Sequence, residues 1–137
     1  AVEREQRVSG PVGHTGVPSS IRIAVETVDL CLGRLLNAVR DTHGLAVITA
    51  DHGNSDDMYQ RNKKTGEITF DEESGQPNPK TAHSLNPVPV YIYDPAAGAK
   101  MRLSDHKDLG ISSLTATCLK LLGFEPPDYS PSIIEIN

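Results

Sequence analysis

The sequence predicts an α/β fold in which helices flank a sheet, and two observations support this prediction. A long amphipathic helical pattern runs directly into a short, continuous apolar segment, which is half of an α/β unit. A second apolar segment and a second amphipathic pattern follow later in the chain. The length of 137 residues suffices for one domain with a core and is too short for two.

The first helix is expected to begin at Pro18, which suits a first helical turn, and to end with Gly44 as its C-terminal cap. Six apolar residues at steps of three and four form its apolar face: Ile21, Val25, Val28, Leu32, Leu35 and Val39. The apolar run from Leu45 to Ala50 then predicts a strand that is buried on both faces.

Residues 55–80 are polar and predict a long mobile loop with a small hairpin around 64–67. The segment 88–93 predicts a second strand, which Pro87 and Pro89 restrict to an edge or to one-sided pairing at its start.

The C-terminal third begins with polar residues 94–109 and then predicts a second amphipathic helix closed by Gly123. The apolar face of this helix is formed by Ile111, Leu114, Cys118, Leu121 and Leu122. A proline-rich tail follows, in which the apolar residues 133–136 are expected to pair as an edge strand.

Composition excludes several classes of function. The formal net charge of −5 argues against a general nucleic-acid binder, which needs a basic face to neutralise phosphates. No apolar run approaches the ~20 residues of a membrane span, so no membrane partner is expected.

Cys31 and Cys118 lie in apolar helical patterns and predict buried, reduced thiols in a reducing compartment. Residues 1–5 carry no signal-peptide pattern, and we expect a cytoplasmic protein.

Candidate metal ligands stand at predicted borders between strands and loops. Asp51 and His52 directly follow the first apolar run, and in open α/β sheets ligands bind outside the carboxyl ends of strands. His14 and His83 each lie beside small residues. Carboxylate oxygen and imidazole nitrogen suit Mn²⁺ or Zn²⁺, whereas Ca²⁺ takes oxygen ligands. Taken singly, His14 also fits a turn histidine, and His83 fits a core or surface residue.

The other two histidines lack this placement. We interpret His43 as a polar residue at a helix end and His106 as a loop histidine, both structural.

Three motifs resemble consecutive motifs of the cofactor-independent (2,3-bisphosphoglycerate-independent) phosphoglycerate mutases of the alkaline phosphatase superfamily. They read Val-Gly-His-Thr-Gly at 12–16, Ile-Thr-Ala-Asp-His-Gly-Asn at 48–54 and Lys-Thr-Ala-His-Ser-Leu-Asn-Pro-Val-Pro at 80–89. The ending Leu-Gly-Phe-Glu-Pro-Pro at 122–127 fits as well. The resemblance implies a partial alkaline-phosphatase-like sandwich, with residues 1–137 as the C-terminal part of the metal-binding phosphatase-like domain.

The resemblance also implies an activity: interconversion of 3-phosphoglycerate and 2-phosphoglycerate in glycolysis or gluconeogenesis, through a phosphoserine. Two divalent ions, Mn²⁺ or in some relatives Zn²⁺ or others, would lower the pKa of the serine and neutralise the phosphoryl group. By this resemblance, His14 and His83 would bind one ion. Asp51 and His52 would bind the second ion, near the serine.

The chain departs from the family pattern in two respects. Gly10 stands four residues before His14, where the family has an aspartate ligand, which leaves the first ion two protein ligands instead of three or four. The motif with the nucleophilic serine and the transferase domain that holds phosphoglycerate have no counterpart here. We therefore assign no catalytic residue and expect the rest of its own polypeptide as a partner. The fragment alone is expected to be inactive and prone to self-association.

Two alternatives stay open at this point. One is another metal-dependent phosphomutase or phosphatase of the same superfamily. The other is a non-catalytic module with a degenerate metal site, which Gly10 motivates.

Overall fold

The computed structural model describes residues 12, 14–96, 98, 100–126 and 130–136. Gly10 lies outside these residues. The chain divides into two compact units, Ala1–Tyr93 and Asp94–Asn137, called here the N-terminal and the C-terminal unit. Helices and strands are mixed along the chain, as the α/β prediction requires. No helix in the described part of the chain is long and apolar enough to cross a bilayer.

Helix α1, Pro18–Asp41, begins at the predicted proline. Its buried residues are Ile21 and Ala24. Val25 and Val28, which belong to the predicted apolar face, are 56% and 51% exposed. The pattern therefore predicts the helix correctly, while three of the six residues of its predicted apolar face are exposed.

The C-terminal end of α1 lies earlier than the sequence predicted, because His43 takes the place expected for glycine. Thr42 is the C-cap, and His43 adopts a left-handed backbone conformation with φ 54°. The Gly44 N–H donates to Val39 O at 2.8 Å and the His43 N–H donates to Arg40 O, which is the Schellman pattern.

The sheet of the N-terminal unit consists of β1, Ala46–Thr49, and β2, Val90–Tyr93. The strands are antiparallel, with Thr49 opposite Val90. The prediction that β1 is buried on both faces is wrong: three of its residues are half-buried and Thr49 is exposed. Within the described residues β1 pairs with β2 alone, so its other edge has no hydrogen-bonded neighbouring strand.

Residues 58–80 form a double-hairpin arm between β1 and β2. The first hairpin turns at 62–67, where the Gly66 N–H donates to Asn62 O, and it confirms the predicted hairpin. A second turn at 71–76 follows, and Pro79 returns to pair with Tyr59. The predicted mobility of this segment stays a prediction.

The C-terminal unit contains β3, Met101–Leu103, helix α2, Ser113–Leu121, and β4, Ile134–Ile136. β4 confirms the predicted edge strand, and it pairs antiparallel with β3. β3 lies in the segment 94–109, which the sequence analysis described only as polar, so this strand was missed.

Helix α2 buries a different face from the predicted one. Its buried residues are Ser113, Ala116 and Thr117. The Thr117 hydroxyl donates to Ser113 O at 2.7 Å and accepts from the Ile133 N–H at 2.9 Å, so hydrogen bonds fasten this face to the tail. The prediction of a buried Cys118 is wrong, because this cysteine lies on the exposed side. Cys31 is half-buried, and neither cysteine forms a disulfide.

The left-handed His43 gives a stability prediction. A side chain in this conformation crowds the backbone, and glycine removes that strain. We expect His43→Gly to raise the free energy of unfolding by about 1 kcal/mol, measured by urea unfolding. His43→Ala is the matched control, since alanine keeps the strain, and an equal gain from both variants would contradict the explanation.

Candidate metal centre

Three histidines from distant parts of the sequence converge in the N-terminal unit. His14 precedes α1, His52 follows β1, and His83 follows the double-hairpin arm. One ring nitrogen of each lies within 4.8 Å of the others. The rings of His52 and His83 stack with centroids 3.5 Å apart, and the His14 ring lies 5.4 and 5.2 Å from them. The structure thus brings these candidate ligands together.

Asp51 lies at the edge of this cluster. Its Oδ1 is 3.6 Å from His52 Nε2, and its side chain is 89% exposed. It does not belong to the group of three mutually close ligand atoms. His43 and His106 are exposed and lie outside the cluster. The assignment of individual ligands to two ions stays a prediction.

The backbone fixes the tautomer of His52. Its Nδ1 lies 3.2 Å from Gly53 O, a carbonyl that can only accept a hydrogen bond. Nδ1 therefore carries the proton in the neutral ring, and Nε2 keeps its lone pair. A ring oriented in this way presents Nε2 as a metal ligand.

Asn54 has the corresponding position beside His14. Its amide nitrogen Nδ2 lies 3.2 Å from His14 Nδ1. Amide nitrogen and oxygen exchange places by a half-turn, and the orientation in which the oxygen accepts Nδ1–H leaves His14 Nε2 free to bind a metal.

The donor set fits a divalent transition metal. Neutral imidazole nitrogen binds Zn²⁺, Co²⁺ and similar ions. Two imidazole nitrogens on one tetrahedral ion lie about 3.4 Å apart, by the metal–nitrogen distances typical of such sites. The ligand atoms of the three histidines lie within 4.8 Å of one another, which is compatible with this spacing.

A close backbone approach joins the loops of His52 and His83. The Ser84 N–H donates to Gly53 O at 2.8 Å, and Ser84 is buried. A Cβ at Gly53 would lie 2.2 Å from Ser84 Oγ and 2.7 Å from Asp56 Oδ1. A side chain at 53 would therefore displace the Ser84 hydroxyl and the Asp56 carboxylate from the positions in which they are hydrogen-bonded.

Asp56 reinforces the same junction. Its Oδ2 accepts hydrogen bonds from Ser84 Oγ at 2.8 Å and from the Asn86 amide. The bonds from Ser84 and then Asn86 hold the pKa of Asp56 below its ordinary value of 3.8. A lowered folded-state pKa means that this contribution to stability is present above the ordinary pKa and is lost as the pH falls through the folded value.

The loop of His14 meets the arm at a second close approach. Gly16 has φ 68°, and a Cβ there would lie 2.6 Å from Pro79 Cβ. Thr15 shapes the preceding turn, since its hydroxyl donates to Val12 O at 2.9 Å. The base of the arm is closed by the Lys80–Asp57 ion pair.

Sequence reasoning missed the residues that surround the histidines: Asn54, Asp56, Ser84 and Asn86. Three of them stand inside the recognised motifs, within three residues of a candidate ligand. Polar residues so close to a ligand in sequence are the signal that could have identified them, because ligating histidines use hydrogen-bonded neighbours.

The mixed α/β fold and the histidine cluster are those of a metal-dependent enzyme domain. Residues 10–126 match the model of the Metalloenzyme superfamily, and the chain belongs to this family. Family membership confirms the expected metal-binding class, and it leaves the metal unspecified.

The relatives in this family are phosphoglycerate mutases, as the motifs predicted. The 2,3-bisphosphoglycerate-independent phosphoglycerate mutase of Trypanosoma brucei brucei is 48% identical over 129 residues, covering 91% of this chain and 23% of the relative. A probable enzyme of the same name from Leptospira interrogans is 40% identical over 125 residues, covering 90% of this chain and 22% of the relative.

A solved structure of Leishmania mexicana phosphoglycerate mutase at low cobalt concentration has a TM-score of 0.82 and 44% identity. The match covers 92% of this chain and 23% of that chain, and it confirms the partial fold. The chain thus spans less than a quarter of the length of these relatives.

Gly53 gives a test of the loop junction. We expect Gly53→Ala to displace the Ser84 hydroxyl and the Asp56 carboxylate from their hydrogen bond and to lower the free energy of unfolding by about 1–3 kcal/mol, the usual cost of overpacking. Gly110→Ala is the control, since nothing lies within 4 Å of a Cβ at that loop position. Urea unfolding measures both, and a Gly53→Ala variant as stable as Gly110→Ala would contradict the role of the close approach.

Proposed function

We propose that this chain supplies part of the metal centre of a cofactor-independent phosphoglycerate mutase, an isomerase that interconverts 3-phosphoglycerate and 2-phosphoglycerate. The observation that supports this most strongly is the convergence of His14, His52 and His83 in a chain 48% identical to such an enzyme. The proposed role in glycolysis implies a cytoplasmic protein.

In this proposal the centre holds two divalent ions, with Mn²⁺ as the metal and Zn²⁺ or others as alternatives. His14 and His83 hold one ion, and Asp51 and His52 hold the other. Bound ions of this kind lower the pKa of a nucleophile and neutralise charge on a phosphoryl group. The carboxylate of Asp51 adds negative charge beside His52 Nε2, which favours a cation there.

The remaining machinery belongs to the rest of the polypeptide. Relatives are about four times longer than the matched segment, and we assign neither the nucleophilic serine nor the residues that hold phosphoglycerate to this chain. In this chain the Gly53 carbonyl and Asn54 orient imidazole rings, and Gly53 leaves the junction of the two loops free of a further side chain. The isolated chain is therefore expected to bind metal without isomerising phosphoglycerate.

Metal titration tests the ligand set. We expect His14→Ala, His52→Ala and His83→Ala each to weaken binding of Co²⁺ or Mn²⁺ by at least about 10-fold, because each removes a donor. Isothermal calorimetry of the metal-free chain measures the affinity, and the Co²⁺ absorption spectrum reports the donor set. His106→Ala is the control, an exposed histidine outside the cluster. Equal affinities in all four variants would reject the site.

A segment exchange tests the activity itself. The 129 matched residues of the Trypanosoma brucei brucei relative are replaced by this chain, and conversion of 3-phosphoglycerate into 2-phosphoglycerate is measured. We expect activity when the segment carries Gly10→Asp, at least 10-fold less with an added His52→Ala, and no such loss with an added His106→Ala. A folded but inactive Gly10→Asp exchange would reject the proposal.

Gly10 favours a second candidate, a module with a degenerate metal site, because a family ligand is absent at that position. An exchange that is active with Gly10→Asp and inactive with Gly10 would support this candidate for the present chain. Release of inorganic phosphate without 2-phosphoglycerate would instead favour a phosphatase of the same superfamily.

A further inference from the structure

His83 lies in a segment that few hydrogen bonds hold in place. In the described structure of residues 81–88, the bonds that reach another segment go to Gly53 O and to Asp56. Leu85, two residues after His83, is fully exposed. Packing therefore contributes little beyond Ser84, and on its C-terminal side His83 is held by these few bonds.

We propose that Asp56 is a positioning residue that keeps His83 beside His52 by fastening Ser84 and Asn86 to the loop that follows β1. One carboxylate oxygen, Oδ2, accepts from both side chains. Hydrogen bonds to an ionised acceptor are about twice as strong as neutral ones. Because Ser84 directly follows His83, fixing Ser84 fixes the backbone from which the imidazole projects.

The double-hairpin arm fixes the other side of His83. The Lys80 N–H donates to Met58 O at 2.8 Å, and Lys80 pairs with Asp57. These contacts end three residues before His83, so they leave the orientation of its ring to the Ser84 side. The arm therefore holds the chain before His83, and the bonds of Ser84 and Asn86 hold the chain after it. Asp56 accepts the side-chain hydrogen bonds of the second group.

The absence of a side chain at Gly53 makes room for this carboxylate. A Cβ at Gly53 would lie 2.7 Å from Asp56 Oδ1, so the carboxylate occupies the space that glycine leaves. The fit is specific to aspartate: glutamate keeps the charge and moves the oxygens by one methylene group, and asparagine keeps the size and removes the charge.

The first readout needs no metal. Hydrogen exchange of the Ser84 amide in the metal-free chain reports the bond to Gly53 O, and a nuclear Overhauser contact reports the stacked rings of His52 and His83. We expect Asp56→Asn and Asp56→Glu to speed Ser84 exchange about 10-fold and to weaken the ring contact. Asp29→Asn, an exposed aspartate on α1, is the control for loss of one charge.

The second readout is affinity for Co²⁺, measured by calorimetry on the same variants. We expect about 10-fold weaker binding for both Asp56 variants, as for other residues that orient a ligand. This second measurement rests on the proposed metal centre. If the wild-type chain does not bind Co²⁺, the proposed function fails, while Ser84 exchange still decides the role of Asp56.

Two results would overturn the inference. One is unchanged Ser84 exchange in Asp56→Asn. The other is full Co²⁺ affinity in Asp56→Glu with loss in Asp56→Asn, because charge alone would then explain the effect. Asn86→Ala removes only the hydrogen bond from the Asn86 amide to Asp56, and it replaces the Asp56 variants if they unfold. Faster exchange of the Ser84 amide in Asn86→Ala would support the inference, and unchanged exchange would reject it.

Discussion

The contact between Gly53 and Ser84 is the constraint on which the candidate metal centre depends. Antiparallel pairing puts Thr49, the last residue of β1, opposite Val90, the first residue of β2. The segments that follow β1 and precede β2 therefore emerge at the same end of the sheet. The Gly53–Ser84 bridge extends their pairing beyond the strands, and the missing side chain at 53 lets them approach. The stacking of His52 on His83 is a consequence of this geometry.

The double-hairpin arm lowers the loss of conformational entropy that this arrangement requires. A long loop between His52 and His83 would cost conformational freedom each time the two histidines met. Here the arm is closed on itself by backbone bonds and by the Lys80–Asp57 pair at its base, so both ends stay close. The histidines thus meet across a short effective loop.

The sequence predicted what depends on local patterns and failed where distant neighbours decide. Pro18 and the apolar spacing predicted α1, and the placement at borders of strands and loops predicted that His14, His52 and His83 belong to one site. Burial of β1 was predicted wrongly, because it depends on layers that no local pattern reveals. The buried face of α2 was also missed: Ser113 and Thr117 are polar, the Thr117 hydroxyl donates to Ser113 O within the helix, and it accepts from the Ile133 N–H of the tail. Asp56 escaped notice because its partners lie 28 and 30 residues away.

The exposed apolar surface of α1 is formed by residues other than those of the candidate metal centre. Val25, Val28 and Leu30 on α1 are more than half exposed, a kind of surface that marks contacts with further protein. The histidine cluster does not use this surface, since its ties are hydrogen bonds and close approaches among residues 14–16, 52–56 and 79–86. A divalent ion bound there would stabilise the loops by mass action, in proportion to its affinity for the folded form. Metal bound at the cluster and burial of the α1 face would therefore contribute to stability separately, because they involve different residues of the N-terminal unit.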